Sequence, residues 1–377
     1  MEDKSPKEHK KYAADIDSIS KAQELIKPYV HVTPVLSSET LNIIAGKTLF
    51  FKCECFQKGS YITSLKISLW FENFHSTESS ILCSLQWNLA CFSQSAFSLM
   101  FISGAFKFRG ASNAIFSLND EQATKGVVTH SSGNHAAALA LAAKLRGIPA
   151  YIVIPNNAPK CKVENVKRYG GQIIWSEANM QSREETANKV LHETGAVLVH
   201  PYNDGRIISG QGTLSLEFLD QVPQLDTLIV PISGGGLISG VAIGAKAINP
   251  AIRVVAAEPK GADDAAQSKA YGRIITLAQT NTIADGLRAS LGDLTWPVVR
   301  DLVDDIITVE DKEIVEAMRY CYEILKVAVE PSGAIGLAAV LSDSFRQNPV
   351  LKDSQNIGIV LSGGNVDLGV LWQSLNS

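Results

Sequence analysis

From Gly126 toward the C-terminus, short apolar runs alternate with longer segments whose apolar residues recur every three or four positions. GVVTHSS, IPAYIVIP, QIIWSE, AVLVHPY, TLIVPIS, RVVAAEP and NIGIVLS read as short, largely buried strands. Among them AAALALAAKLRG, KCKVENVKRYGG, SREETANKVLHETG, TLSLEFLDQV, LISGVAIGAKAI, EIVEAMRYCYEILK and AIGLAAVLSDSF read as helices. Strands and helices alternating at this spacing predict parallel α/β structure. The connections are short and marked by glycine.

One stretch breaks the rhythm. Residues 60–103 carry only Lys66, Glu72 and Glu78 as charges, yet eight aromatic residues, with serine scattered throughout. They hold neither a 3.6-residue nor a 2-residue period. The stretch is too apolar for an ordinary surface loop and too long for one inside a compact domain. It reads as an insert.

Composition narrows the classes. At 377 residues with 46% hydrophobic and 19% charged residues, the chain is globular and long enough for one large or two ordinary domains. The net charge of −4 gives no basic excess, so nucleic acid is not an expected partner. The run Ser79–Phe106 lacks charges but contains Gln86, Asn88, Gln94 and several serines, which argues against a membrane span. The six cysteines form no paired CxxC and read as reduced thiols. The charged N-terminal MEDKSPKEHKKYAADID has no apolar core of a secretory leader, and a cytoplasmic location is expected.

Candidate chemistry sits at strand-to-helix turns. In SGAFKFRG, Lys107 stands between two phenylalanines after the charge-free run. Apolar surroundings push a lysine toward its neutral, nucleophilic form, although a helix-end lysine that snorkels to water fits the same residues. SGGGL, Ser233 to Leu237, opens a helix with three glycines, a phosphate cup without a lysine or else a tight turn. HSSGNH, His130 to His135, gathers hydroxyls and an amide at another helix start, suited to a carboxylate, a ring edge or simple capping. LSGGNVD offers Ser362 at a strand's carboxyl end. AAEPKGADD places Glu258, Asp263 and Asp264 within seven residues, a hard-cation set or a solvated acidic turn. An imine-forming lysine, a phosphate cup, an amide and a strand-end serine together suggest pyridoxal phosphate.

With TPVLSS, LFFKCECFQK, GAFKFRG, THSSGNHAAAL, SGQGT, VPISGGGL, AAEPKGADD, ADGLR, VEPSGA and LSGGNVDLG in this order, the chain resembles the fold-type II pyridoxal-phosphate enzymes of the serine/threonine dehydratase family. Within them it is most similar to the plant-like eukaryotic serine racemases. The resemblance implies two parallel-sheet α/β domains with the active site between them. The large domain would comprise 15–59, 104–125 and 205–377, the small one 126–204, with 1–14 disordered. It implies Lys107 as the Schiff-base lysine and base on one face of the substrate Cα, and Ser132 as acid/base on the other. Phe106, Asn134, Ser233, Gly234, Gly235, Gly236, Leu237, Gly286 and Ser362 would hold the cofactor. Glu258, the carbonyl of Ala262 and Asp264 would hold Mg²⁺ or Ca²⁺. Ser38, Lys58, Lys326 and Asn365 match positions that bind ATP as an activator at a homodimer interface. Ser131, His135 and Arg183 would meet the substrate. The implied reaction interconverts L- and D-serine, with dehydration of serine to pyruvate and ammonia alongside.

The family pattern runs from FQK almost directly into G-[AS]-F-K. Here 44 residues intervene, and removing 60–103 leaves FQKGGAFKFRG. A retained intron or gene-model error explains such borders. The alternatives are a threonine/serine dehydratase, or a catalytically dead chain disabled by an insert beside its lysine.

Overall fold

The computed structural model describes residues 11–58, 104–131, 133–158 and 160–365. The described strands are β1 (Val35–Leu36), β2 (Thr48–Cys53), β3 (Val127–His130), β4 (Ala150–Pro155), β5 (Gln172–Ser176), β6 (Val197–Leu198), β7 (Thr227–Pro231), β8 (Arg253–Pro259), β9 (Asp305–Val309) and β10 (Asn356–Leu361). They form a six-stranded sheet, β1-β2-β10-β7-β8-β9, and a four-stranded sheet, β5-β4-β3-β6. Every pairing between these strands is parallel except β1 with β2, which gives the α/β class that the alternation predicts. The rhythm from Gly126 onward did not show that β2 joins the larger sheet. It pairs with β10 along six residues, with Leu49, Phe51, Lys52 and Cys53 buried, and it lies between a short helix, Glu39–Ala45, and a single helical turn, Glu54–Phe56.

Six helices position the site: α1 (Ile16–Ile26), α2 (Lys107–Phe116), α3 (Asn134–Arg146), α4 (Gly205–Gln221), α5 (Gly236–Ile248) and α6 (Pro331–Leu341). In α3 the run AAALALAA is buried on all sides, where alanine combines high helix propensity with close packing. Residues 104–125, read from the sequence with the larger domain, send Phe108, Ala111, Ala114 and Ile115 into the core of the four-stranded sheet, beside Leu139 and Ile152. α2 touches both α3 and α4 and so belongs to both halves. The start of the chain needs a second correction. Of the stretch 1–14 expected to be disordered, residues 1–10 lie outside the described residues; within 11–14, Ala14 is buried, and the Tyr12 hydroxyl and Lys11 ammonium reach Asp301 at 3.2 and 3.3 Å. None of the described helices is long and apolar enough to cross a membrane.

The stretch 60–103 lies outside the described residues, but its two flanks meet. The Gly104 N–H donates to the Cys55 carbonyl at 2.7 Å, and the Gly104 carbonyl accepts from Gly364 at 2.9 Å. A Cβ on Gly104 would fall 1.6 Å from the Gln57 oxygen and 3.1 Å from the Lys58 carbonyl carbon, so this close approach requires glycine. The chain thus leaves and returns at one point. Excising 60–103 and joining Gly59 to Gly104 is therefore expected to leave both sheets intact. It should also raise the thermal midpoint, since bringing together the ends of an intervening segment of that length costs roughly 3 kcal/mol of chain entropy. Calorimetry of the two chains checks this; an excised chain that fails to fold would refute it.

Candidate active site

A cavity of about 600 Å³ opens at the carboxyl ends of β3, β7 and β10, where parallel sheets expose backbone groups and helix N-termini. The structure brings most of the sequence-derived residues onto its wall. Phe106 and Lys107 come from the start of α2, Ser131 and Asn134 from the turn between β3 and α3, and Ser362 from the end of β10. His135, Arg183, Ser233 to Leu237 and Gly286 complete the set. Ser132 lies outside the described residues.

Lys107 opens α2 with no capping side chain before it. Its Nζ donates to the Pro201 carbonyl at 2.8 Å and stands 5.2 Å from the Phe106 ring centroid. Burial pushes its ammonium down to about 8. The cup between β7 and α5 is shaped by glycine. Gly235 has φ +85°, and a Cβ on Gly234 would lie 2.3 Å from the Tyr202 ring. Ser233 Oγ donates to the Ala289 carbonyl at 3.2 Å and accepts from the Ala289 N–H at 3.0 Å, which fixes the loop opposite. A cradle lined by backbone N–H at a helix start, beside a desolvated amine, fits a phosphorylated aldehyde such as pyridoxal phosphate.

Asn134 bridges the halves. Its Nδ2 donates to Glu330 Oε1 at 2.6 Å, and its Oδ1 accepts from Asn365 Nδ2 at 2.9 Å. Glu330 precedes Pro331 at the start of α6, and burial, with Asp285 adding to it, pushes its carboxyl up to about 7. Lys162 and Asp285 form an ion pair that joins the two halves at the cavity wall. The sequence reading gave no role to Glu330, His200, Tyr202 or this pair. VEPSGA carried a signal for the first, a carboxylate next to a proline at a helix start. HPY, just past β6, carried one for the next two.

His135 corrects an expectation. As a partner for the substrate carboxylate it would have to be cationic or donate from its ring. Instead Nε2 donates to the Val199 carbonyl at 3.2 Å, which leaves Nδ1 a buried acceptor without a partner. Burial holds the ring well below the usual histidine range, and a neutral ring with a bare lone pair repels a carboxylate. His200 is neutral as well: its Nδ1 accepts from the Tyr202 and Asn203 N–H groups at 3.3 and 2.9 Å, and burial pushes it down to about 4. Two arginines line this wall: Arg288, whose Nη2 donates to the Thr282 carbonyl, and Arg183, whose Nε is buried without a partner.

The remaining residues lie away from the cavity wall. Glu258 accepts from the Ala265 and Ala266 N–H groups, both at 2.9 Å, and burial pushes it up to about 8. Asp264 is pushed up to about 6, also by burial, and its Oδ2 is buried without a partner; Ala262 is buried as well. No group of three or more His, Cys, Asp or Glu side chains gathers among the described residues. Ser38 Oγ accepts from Leu41 N–H as a helix cap, burial lowers the Lys58 ammonium, and Lys326 adopts φ +60°. Of the four residues matched to ATP, only Asn365 touches the cavity set, through Asn134. Cys53, Cys55 and Cys321 are free and buried.

Residues 98–363 match the family model described as pyridoxal-phosphate dependent enzyme. The match starts after β1 and β2, although both complete the six-stranded sheet. The chain is 66% identical over 367 residues to a serine racemase of Arabidopsis thaliana, covering 97% of this chain and 98% of the relative. It is 42% identical to a β-hydroxyaspartate dehydratase of Paracoccus denitrificans over 360 residues, 96% and 99% of the two chains. The structure of maize serine racemase superposes with a TM-score of 0.83 at 64% identity, covering 97% and 98%. The cup, the desolvated lysine and the two α/β sheets agree with these similarities: the chain belongs to the fold-type II pyridoxal-phosphate-dependent enzymes, in their serine racemase branch.

Proposed function

We propose that the chain interconverts L-serine and D-serine with pyridoxal phosphate and, alongside, dehydrates serine to pyruvate and ammonia. The observation that carries this is one cavity joining a desolvated lysine amine to a glycine cup. Pyridoxal phosphate, when bound, supplies the electron sink for negative charge at the substrate Cα.

The chain's own residues do the rest. Ser233 to Leu237 would hold the phosphate through backbone N–H groups and the positive end of α5. Phe106 and Asn134 would flank the ring, and Ser362, a neutral hydroxyl, would face its nitrogen. Arg183 would hold the substrate carboxylate, with Ser131 beside it. Lys107, half neutral near pH 8, would take the Cα proton on one face. Racemisation needs a second group, because the returning proton arrives from behind; Ser132 is assigned that part. Loss of the β-hydroxyl as water gives the dehydration product.

The buried, unpartnered Asp264 Oδ2 and the raised Glu258 suit Mg²⁺ or Ca²⁺, which would hold both carboxylates ionised. ATP binding through Ser38, Lys58, Lys326 and Asn365, and a homodimer, rest on the family resemblance. Exposed Val32, Ile43 and Ile44 offer apolar surface for a second copy.

Ser132→Ala tests the two-face assignment. D-serine formation from L-serine is expected to fall by about a hundredfold or more, while pyruvate formation stays within about tenfold. Chiral chromatography and a pyruvate assay on one reaction separate the two. Unchanged D-serine formation would remove Ser132 from the mechanism.

A further inference from the structure

Four charged side chains are packed together behind Lys107, and none has a part in the site described so far. Arg109 is 1% exposed. Its Nε and Nη2 grip Glu54 at 2.8 and 2.7 Å, and its Nη1 and Nη2 grip Glu217 at 3.0 Å each. Lys52 Nζ adds contacts to Glu217 Oε1 at 2.5 Å, Gln221 Oε1 at 2.7 Å and the Thr33 carbonyl at 2.7 Å. Thr33 Oγ1 donates to Glu54 Oε1 at 2.7 Å. Two cations and two carboxylates are thus fully matched, and they join β2 with its following turn, α2 and α4.

Removing ions from water is costly, and well-packed apolar residues of similar volume often stabilise as well. The forked arginine contacts add something apolar packing lacks, a fixed direction for each element. Two residues along a helix rotate about 200°, so Arg109 and Lys107 project from opposite sides of the first turn of α2. Arg109 anchors the back of that turn while Lys107 reaches Pro201 at the front. Gly110 N–H donates to Gln211 Oε1 at 3.2 Å and continues the attachment to α4. Glu54 lies just before the point where the chain departs at Lys58, and Arg109 just after it returns at Gly104. The ion cluster therefore also ties the two flanks together.

We propose that the Lys52–Glu54–Arg109–Glu217 cluster is a positioning device for Lys107, with Arg109 as the positioning residue. The inference rests on the role of Lys107 given under the proposed function. Arg109→Lys keeps the charge and loses both forks. It is expected to weaken pyridoxal phosphate binding at least about tenfold and lower kcat while leaving the KM for serine near its original value. In the apo chain, the pH midpoint for labelling Lys107 with an amine-reactive reagent, read by peptide mass spectrometry, should move upward.

Glu217→Gln, which removes one fork and spares Glu54, gives the same readouts if Arg109→Lys does not fold. Leu351→Ala, in the core of the other side of the six-stranded sheet, controls for simple loss of stability. Unchanged cofactor affinity and labelling midpoint in the Arg109 or Glu217 variant overturns the proposal, as does an equal change in the Leu351 control. Failure of the underlying reading looks different: Lys107→Ala would then retain cofactor absorbance and turnover.

Discussion

Lys107→Ala is expected to abolish the visible absorbance of protein-bound pyridoxal phosphate and to lower both D-serine and pyruvate formation by at least about a thousandfold. The apo chain should nevertheless fold at least as well as the original. Burial lowers the Lys107 pKa from its ordinary value to about 8, so the folded chain binds fewer protons there than the unfolded chain. The resulting penalty is fully present below pH 8 and fades as pH rises toward the ordinary lysine range. Removing the amine removes the penalty at neutral pH. Lys107→Arg separates charge from chemistry: a guanidinium stays protonated and should be as inactive as alanine. In the unsubstituted apo chain, labelling of Lys107 should reach half its plateau rate near pH 8. Absorbance, turnover and calorimetry on the three chains decide the matter. A Lys107→Ala protein that is still yellow and active would end the proposed function.

What the sequence disclosed was local. SGGGL and HSSGNH could be read because the donors, the helix start and the preceding strand all fall within one short stretch. The lysine stood out because its neighbours were apolar. The residues that escaped notice depend on contacts between distant segments. Glu330 reaches Asn134 across 196 positions, and Arg109 reaches Glu217 across 108. A single sequence does not pair such groups. His135 shows another limit. Its residue type allows a cation, but burial and the nearby Lys107 ammonium keep the ring neutral, and the Val199 carbonyl holds the proton on Nε2. The strands β1 and β2 went unassigned for a related reason, since β2 takes its place beside β10, some three hundred residues later, and β1 then pairs with β2.

Gly235→Val is expected to weaken pyridoxal phosphate binding by about a hundredfold and to lower the thermal midpoint by several degrees. Gly235 has φ +85° and ψ −4°, where a β-branched residue is strained by about 1–3 kcal/mol. Its Cβ would also lie 2.8 Å from Thr295 Cβ and Oγ1 and 2.9 Å from Leu291 Cδ2. Thr295 cannot yield cheaply, because its Oγ1 donates to the Gly234 carbonyl at 2.8 Å and accepts from the Gly292 N–H at 3.0 Å. Pushing it aside releases the peptide that orients the cup, so the damage falls on the phosphate site as well as on stability. Gly235→Asn divides the two costs: asparagine tolerates the left-handed region but carries the same Cβ into Thr295. The asparagine chain should recover part of the melting temperature and little of the cofactor affinity. Absorbance titrations and melting curves of the two variants measure the split. Wild-type affinity in Gly235→Val would show that this turn does not hold the phosphate.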